Sequence, residues 1–268
     1  MKMCYTFSTK TIFIPLVSIG AEKMKTAFIT GGAGGIGSAV CRQLAKNGYD
    51  IAIHYHTRER EAARLAGELV NNYQNKVYIY QADLSDYDSV TTLFDNFSKN
   101  FSSLDVLVNN AGKAQQKLFT DITPQEWRSM MATNLDSVFY CSREALKRFM
   151  LPAHRGAIVN ISSMWGQVGA SCEVHYSASK AGVIGLTKAL AKEVGLSGIR
   201  VNCVAPGVVM TDMMKGFDSD TLAALREETP LNALGTPEQI AEAVAFLCSD
   251  KAGFVTGQVL GVNGGFVV

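Results

Sequence analysis

A tyrosine and a lysine stand four residues apart in the segment YSASK, residues 176–180. On a helix, side chains at positions i and i+4 share one face, with Cβ atoms roughly 5–6 Å apart. A lysine ammonium beside a phenol favours the phenolate, and so lowers the tyrosine pKa from about 10. General acids and bases need such a pKa near the operating pH. Tyr176 and Lys180 are therefore a candidate proton-transfer pair; the alternative is a helix-surface pair without function.

A glycine-rich segment, TGGAGGIG at residues 30–37, follows the first apolar run. Glycines permit a tight turn and let the backbone approach a pyrophosphate, whose charge meets the free N–H groups at a helix N-terminus. Between a strand and a helix, such a loop predicts a dinucleotide site, whereas alone it is also compatible with a plain turn. The predicted cofactor contacts here are Gly31, Gly34, Gly35, Ile36 and Gly37.

The segment HYHTR, residues 54–58, follows the second predicted strand and contains no acid. A site that prefers NAD usually places an acid here to bind the ribose 2′-hydroxyl, whereas an NADP site offers polar or basic groups to the 2′-phosphate. The sequence therefore favours NADP (NADPH) over NAD, with His56 and Thr57 as predicted contacts. The alternative is that these are ordinary solvated loop residues.

Two further segments follow predicted strands. In QADLS, Asp83 and Leu84 are placed to line the adenine site, although an aspartate that caps a helix is an equal alternative. In NNAG, Asn110, Ala111 and Gly112 either line a cofactor groove or form a turn.

Short apolar runs alternate along the chain with longer amphipathic ones, as in a parallel sheet covered by helices. Several of the short runs are apolar throughout, which is expected when both faces of a sheet are buried. We predict a single-domain α/β fold, a Rossmann-like doubly wound parallel seven-stranded sheet. Strands are predicted at 26–30, 51–55, 77–81, 104–109, 157–162, 199–205 and 258–262, and helices near 36–47, 59–73, 86–99, 124–150, 175–195 and 237–248.

The composition excludes several classes of function. The chain has 268 residues and a formal net charge of +1, so no single-sign surface field indicates a nucleic-acid or membrane partner. The six cysteines lack Cys-x-x-Cys spacing and suit buried thiols in a reducing compartment, which indicates a cytoplasmic protein. The four histidines are dispersed, so no metal site is predicted.

The first 24 residues differ from the rest. The run TIFIPLVSIGA is shorter than the roughly 20 residues that span a bilayer, but it has the length of a signal-peptide core. Because MKTAFIT begins at Met24 and leads straight into the glycine-rich loop, an upstream extension is favoured over a targeting signal. We expect residues 1–23 to be an extension that is disordered or not native, and 24–268 to form the domain.

Eight segments, in this order, resemble the short-chain dehydrogenase/reductase family, and they extend over almost all of residues 24–268. The resemblance implies an NAD(P)-dependent oxidoreductase that acts on CH–OH groups, with residues 24–268 as its catalytic domain. It also implies a homotetramer, because the helices near 124–150 and 175–195 are similar to the family's subunit interface. The segments are TGGAGGIG, ADL, NNAG, TNLDSVF, IVNISS, YSASK, RVNCVAPGVVMTDM and VTGQVLGVNGG.

The family's Asn-Ser-Tyr-Lys tetrad corresponds to Asn134, Ser163, Tyr176 and Lys180, and the family spacing of 13 residues before the tyrosine selects Ser163 over Ser162. The resemblance implies that Tyr176 donates a proton to the substrate carbonyl oxygen and that Ser163 bonds the same oxygen. Lys180 would lower the tyrosine pKa and bind the nicotinamide ribose. Asn134 would hold a water that links Lys180 to solvent, and the small residues of YSASK would let cofactor and substrate approach.

The segment PGVVMT, residues 206–211, is similar to the family's loop beside the nicotinamide. Pro206 and Gly207 would turn the chain, while the Val209 backbone and the Thr211 hydroxyl would bind the carboxamide. Residues 212–229 resemble the family's mobile substrate lid, with a static surface helix as the alternative. His175, next to the tyrosine, projects about 100° aside on a helix and is expected to line the pocket or the surface.

The C-terminal third is similar to that of 3-oxoacyl-[acyl-carrier-protein] reductases of fatty-acid synthesis. This implies NADPH-dependent reduction of a 3-ketoacyl thioester to the 3-hydroxyacyl form, with acyl carrier protein as partner. Two departures bear on this: Gly34 replaces an arginine that contacts the 2′-phosphate, and His154 and Ser197 replace basic carrier-docking residues. The alternatives are an enzyme of the same family acting on another free ketone or alcohol, such as a sugar, steroid or quinone, and a non-catalytic dinucleotide-binding protein.

Overall fold

The computed structural model describes residues 24–211, 214 and 216–268. Seven strands in this part of the chain form one sheet, in the order β3-β2-β1-β4-β5-β6-β7, and every neighbouring pair is parallel. The predicted Rossmann-like doubly wound sheet is confirmed. The strands are β1 (Thr26–Ile29), β2 (Asp50–Tyr55), β3 (Val77–Gln81), β4 (Val106–Asn109), β5 (Gly156–Ile161), β6 (Ile199–Pro206) and β7 (Val259–Val262).

The principal helices lie within a residue of their predicted positions, and α9 lies in residues 212–229, where a surface helix was the alternative to a mobile lid. Helices α6 and α7 were not predicted. The helix predicted near 124–150 contains two π-helical turns, Ala132–Asp136 and Leu146–Met150. The helices are α1 (Gly35–Lys46), α2 (Glu59–Tyr73), α3 (Tyr87–Asn100), α4 (Pro124–Met131), α5 (Ser137–Ala145), α6 (Leu151–Ala153), α7 (Trp165–Val168), α8 (Val174–Val194), α9 (Ser219–Glu227) and α10 (Pro237–Cys248), with short 3₁₀ turns at Phe119–Asp121, Gly195–Ser197 and Asp250–Ala252.

The sheet separates two hydrophobic cores. In β1, Ala27 and Ile29 belong to the core shared with α1, α2 and α10, whereas Phe28 points into the core shared with α3, α5 and α8. Successive side chains of a strand project to opposite faces, so a strand buried on both faces must be apolar at every position. This explains the continuous apolar runs in the sequence.

Two helix starts follow directly from their sequences. At α10, the Thr236 side chain accepts from Gln239 N and the Gln239 side chain accepts from Thr236 N, with Pro237 in the first helical position. At α4, Thr123 and Glu126 form the same reciprocal capping box. These bonds satisfy backbone N–H groups that a helix leaves unpaired at its N-terminus.

β4 begins two residues later than predicted. The carboxylate of Asp105 accepts a hydrogen bond from Thr26 N at 2.9 Å and pairs with Arg155 at 3.1 Å. The side chain of Asp105 therefore takes part in holding β1 and β4 together, although the residue lies outside the strand.

No helix in the described part of the chain is long and apolar enough to cross a membrane. The same residues contain no group of three or more histidine, cysteine, aspartate or glutamate side chains that could hold a metal ion. The predicted extension, residues 1–23, lies outside the described residues.

Replacing Phe97 with alanine is expected to lower the free energy of unfolding by about 3–5 kcal/mol, because a fully buried ring loses its packing. Its ring centroid lies 5.0–5.6 Å from those of Phe28, Phe101 and Phe149. Urea denaturation measures the change. The control Phe119→Ala removes a ring that is 66% exposed and should cost less than about 0.5 kcal/mol. Equal losses in the two variants would contradict the core role of Phe97.

Candidate active site

The loops that follow β1 and β4 meet where the sheet reverses its strand order. The Thr30 hydroxyl oxygen accepts hydrogen bonds from Asn110 N at 2.9 Å and Ala111 N at 3.0 Å. The Asn110 side-chain amide donates back to Thr30 O at 3.0 Å and Gly31 O at 3.1 Å. The structure therefore brings the glycine-rich loop and the NNAG segment together at the edge where doubly wound sheets bind their ligands.

The glycine-rich loop has the shape that a pyrophosphate requires. Gly31 adopts φ +61°, and a Cβ added to Gly37 would clash with the Gly31 carbonyl oxygen. The first turn of α1 thus packs directly on the loop backbone. Ser38 N donates to Gly34 O at 2.7 Å, and the amides of residues 35–37 belong to the open N-terminal turn, where anions bind. These residues fit a dinucleotide phosphate.

At the adenosine end, His56, Thr57 and Arg58 are exposed. The Asp83 carboxylate accepts from Ser85 N at 2.9 Å and from the Ser85 hydroxyl at 2.7 Å, and these bonds hold the pKa of Asp83 below its usual value.

The alternative interpretation of Asp83, that it caps the following helix, is wrong. Asp86 caps α3 by accepting from Ser89 N. Leu84 is buried in the second core, so only its backbone can face a ligand.

The predicted nicotinamide loop runs from the end of β6 towards α1. Val208 O accepts from Gly235 N and Met210 N donates to Gly235 O, both at 2.9 Å. In this parallel pairing the N–H of Val209 points away from Gly235, so it is available to bond a ligand. A Cβ on Gly35 would lie 2.8 Å from Thr211 Cγ2, so Thr211 borders the glycine-rich loop.

Pro206 ends β6 and its carbonyl accepts from Met164 N, while Gly207 N donates to Val262 O. Part of the predicted lid, residues 212, 213 and 215, lies outside the described residues. Within the described part, Asp218 caps α9, since its carboxylate accepts from Thr221 N.

Tyr176 and Lys180 lie one turn apart on α8, with Lys180 Nζ 5.8 Å from the phenol ring centroid. Lys180 Nζ donates to Ile161 O at 2.8 Å, and burial lowers the pKa of Lys180 to about 8. Burial raises the pKa of Tyr176 to about 12; the Ser163 hydrogen bond opposes this rise and the Glu173 charge adds to it. The expected lowering of the tyrosine pKa by Lys180 is therefore wrong for this arrangement, because desolvation of the phenolate dominates.

The two candidate serines have different partners. The Ser162 hydroxyl donates to Lys180 O at 2.8 Å and so ties β5 to α8. The Ser163 oxygen accepts from Trp165 N at 3.1 Å, and the Ser163 side chain is near enough to Tyr176 to oppose the rise in its pKa. The geometry thus brings Ser163, as predicted from spacing, to the tyrosine.

Asn134 lies in the π-helical turn Ala132–Asp136, a feature that is frequent at functional sites. Its side-chain oxygen accepts from Lys113 N at 2.9 Å, and its amide donates to Lys113 O at 2.9 Å. A Cβ on Gly112 would lie 3.3 Å from both Asn134 Oδ1 and Lys180 Nζ. Asn134 and Lys180 therefore border one small space beside Gly112.

The two serines of YSASK make hydrogen bonds that support the site. Ser179 is fully buried: its hydroxyl donates to Tyr176 O at 2.7 Å and its oxygen accepts from the Asn134 amide at 3.1 Å. The Ser177 oxygen accepts from Ala170 N. Serine at these positions fixes Asn134 and the loop before α8.

Three residues at the site were not identified from the sequence: Thr30, Ser179 and His54. His54 is buried and contacts the glycine-rich loop. A threonine directly before the glycines is a visible signal, whereas His54 stands in an ordinary apolar strand. His175 is also fully buried, with Nε2 2.9 Å from Gln115 Oε1, so the surface alternative for it is wrong.

Comparison with known proteins agrees with this geometry. A family model described as enoyl-(acyl carrier protein) reductase matches residues 31–267. The uncharacterized oxidoreductase YmfI of Bacillus subtilis is 41% identical over 242 residues, which cover 90% of this chain and 98% of that relative. The 3-oxoacyl-[acyl-carrier-protein] reductases of Chlamydia muridarum and Staphylococcus aureus are also 41% identical, over 90% of this chain and 96% and 97% of their own lengths.

Replacing Gly112 with alanine is expected to lower kcat by about ten- to a hundredfold, because the methyl group would occupy the space between Asn134 and Lys180 and displace them. Steady-state kinetics with a reduced nicotinamide cofactor and a ketone measure this. Gly67→Ala is a matched control, since a Cβ there meets nothing within 4 Å. Full activity of the Gly112 variant would show that the space has no role.

The shifted pKa values of Lys180 and Tyr176 predict how the rate of ketone reduction depends on pH. Below a pKa of about 8 Lys180 is charged, and Tyr176, with its pKa near 12, holds its proton. We expect kcat/KM for ketone reduction to fall as the pH rises through about 8, because the lysine then loses its charge while the tyrosine stays protonated. A pH–rate profile from pH 6 to 10 measures this. A profile that stays flat to pH 10 would contradict it.

Proposed function

The chain belongs to the short-chain dehydrogenase/reductase family and is an NAD(P)-dependent oxidoreductase, and we propose that it uses NADPH to reduce a 3-oxoacyl thioester to the 3-hydroxyacyl form. The observation that carries this proposal is the contact of the Ser163 and Tyr176 hydroxyls beside Lys180. Two hydroxyl groups that converge in this way suit a carbonyl oxygen, which accepts two hydrogen bonds.

In the proposed reaction, the cofactor supplies the hydride that adds to the carbonyl carbon. Tyr176 transfers its phenolic proton to the carbonyl oxygen, so that C=O becomes CH–OH. The raised pKa of Tyr176 keeps this proton in place at neutral pH. Ser163 holds the oxygen in line by a hydrogen bond, which removes the need to reorganise water around the developing charge.

Reprotonation of Tyr176 would use the space beside Gly112. Asn134 Oδ1 and Lys180 Nζ both face this space. A water bonded to Asn134 would pass a proton to Lys180 and from there towards the phenolate. Lys180, whose pKa is lowered to about 8, can give up and regain a proton near neutral pH. When the cofactor is bound, the same ammonium would bond its ribose.

The preference for NADPH is supported by the loop after β2. His56, Thr57 and Arg58 are exposed there and include no carboxylate that would repel a 2′-phosphate. Gly34 offers no side chain to this phosphate, so we assign its recognition to the β2 loop. His56→Asp is therefore the substitution that should shift preference towards NADH.

Carrier docking has weaker support than thioester reduction. A Cβ on Gly198 would lie 2.6 Å from His154 O, so positions 154 and 197, where docking reductases are basic, are neighbours on this surface. Here His154 is exposed, but Arg155 pairs with Asp105 at 3.1 Å. Lys192, which precedes Ser197 in the sequence, is an exposed cation. We expect a carrier-bound substrate to be accepted with only a modest preference over a free thioester.

Assembly into a homotetramer, with a cytoplasmic location, completes the proposal. Phe139, on α5 within the helical segment expected at a subunit contact, is exposed, as are Phe246 on α10 and Leu260 on β7. Burying such side chains favours association. Free, buried Cys41 and Cys141 suit a reducing compartment.

The test is oxidation of NADPH and NADH by the purified protein with acetoacetyl-carrier protein and with the free acetoacetyl thioester. Crotonyl thioester is included because the family model is described as an enoyl reductase. We expect NADPH-dependent turnover on both acetoacetyl substrates and none on crotonyl thioester. Tyr176→Phe should lower kcat by about 10²–10⁴-fold through loss of the acid, while Tyr73→Phe, on the surface of α2, should leave it unchanged.

Turnover on crotonyl thioester alone would replace the ketone assignment with enoyl reduction. Failure on every thioester, with NADPH still bound, would favour another free ketone or alcohol. A Tyr176→Phe enzyme that retained full activity would overturn the role of the tyrosine.

A further inference from the structure

A buried histidine connects the two loops that flank the predicted cofactor site. His54, near the end of β2, is 2% exposed. Its Nδ1 accepts from Gly31 N at 3.0 Å, and its Nε2 lies 3.1 Å from Ala82 O. A backbone N–H can only donate and a carbonyl can only accept, so Nε2 must carry the proton. The two contacts together fix one neutral tautomer.

The contact with Gly31 completes a set of hydrogen bonds that holds both backbone groups of one residue of the glycine-rich loop. The Gly31 N–H is held by His54, and the Gly31 carbonyl accepts from the Asn110 amide at 3.1 Å and from Gly34 N at 3.1 Å. Gly32 N also donates to His54 O at 2.9 Å. Gly31 has φ +61°, a conformation that sets the direction of the turn into α1.

The contact with Ala82 links the same imidazole to the adenine end of the site. Ala82 directly precedes Asp83, a predicted adenine contact. One side chain thus bonds the pyrophosphate loop through Nδ1 and the adenine loop through Nε2. Binding a dinucleotide requires these two loops to be held at a fixed separation. A site that is already rigid loses less entropy on binding.

We propose that His54 is a positioning residue: by accepting a hydrogen bond from Gly31 N–H, it holds the Gly31 backbone in the conformation that binds the dinucleotide. This inference rests on the cofactor site of the proposed function, but not on the substrate. Burial, with a smaller contribution from His56, lowers the pKa of His54 to about 4, although the hydrogen bond to Ala82 and the charge of Asp83 oppose this shift. The ring therefore stays neutral at ordinary pH and keeps its acceptor, which an imidazolium lacks.

Two amide substitutions separate the two contacts. The side-chain oxygen of asparagine can occupy the position of Nδ1, so His54→Asn can retain the Gly31 bond and lose the Ala82 bond. The amide nitrogen of glutamine can occupy the position of Nε2, so His54→Gln can retain the Ala82 bond and lose the Gly31 bond. His54→Ala loses both. All three remove the imidazole, so burial of a ring does not distinguish Asn from Gln.

The experiment titrates each purified variant with NADPH, or NADH if the wild type prefers it, and follows protein fluorescence without substrate. We expect the Gln and Ala variants to raise Kd by about tenfold, since a buried N–H left unpaired carries a cost of this order. His54→Asn should stay within about threefold of the wild type, and kcat at saturating cofactor should change by less than about threefold in any variant. Urea denaturation of each variant reports stability separately.

Tight binding by His54→Gln together with weak binding by His54→Asn would overturn the proposal in favour of the Ala82 contact. Wild-type binding in all three variants, with only a lower urea midpoint, would reduce His54 to a structural residue. Because the titration needs no substrate, a wrong ketone assignment would leave these outcomes unaffected, and absence of dinucleotide binding in the wild type would overturn both proposals.

Discussion

Burial of both faces of the parallel sheet is the constraint on which the rest of the structure depends. Strands such as β1 carry apolar side chains towards both layers of helices, and so have no face left for polar chemistry. Most polar and flexible residues of the candidate site therefore gather where strands end. Thr30, directly after β1, and Asn110, after β4, meet at the point where strand order reverses, and their mutual hydrogen bonds join the two loops of the site.

Helix α8 organises the chemistry along its length. It aligns Tyr176 with Lys180 by its periodicity, and the serines between them bond to the helix backbone and to Ala170 in the preceding loop. The π-helical turn after α4 presents Asn134 towards α8, where Ser179 receives its amide. The tetrad is thus supported by a second set of buried hydrogen bonds, which limits the movement of its side chains.

Local signals were sufficient for much of the fold and of the candidate site. The limits of α2 and α10 and the spacing from Ser163 to Tyr176 are readable because they depend on periodicity and short-range chemistry. The pKa direction of Tyr176 was wrong because burial depends on segments distant in sequence. His54 escaped notice for a similar reason: its partners, Gly31 and Ala82, come from loops that only strand pairing brings together.

The alternation of Phe28 and Ile29 between the two cores also governs how the protein opens. Loosening either layer of helices would expose one face of strands whose other face is still packed, so the two cores cannot melt one after the other at low cost. The central strands therefore form one cooperative unit, whose amides exchange with solvent only when the whole sheet unfolds. The exposed helix α9 shares none of this protection, since none of its residues is buried, and it can open while the sheet remains intact.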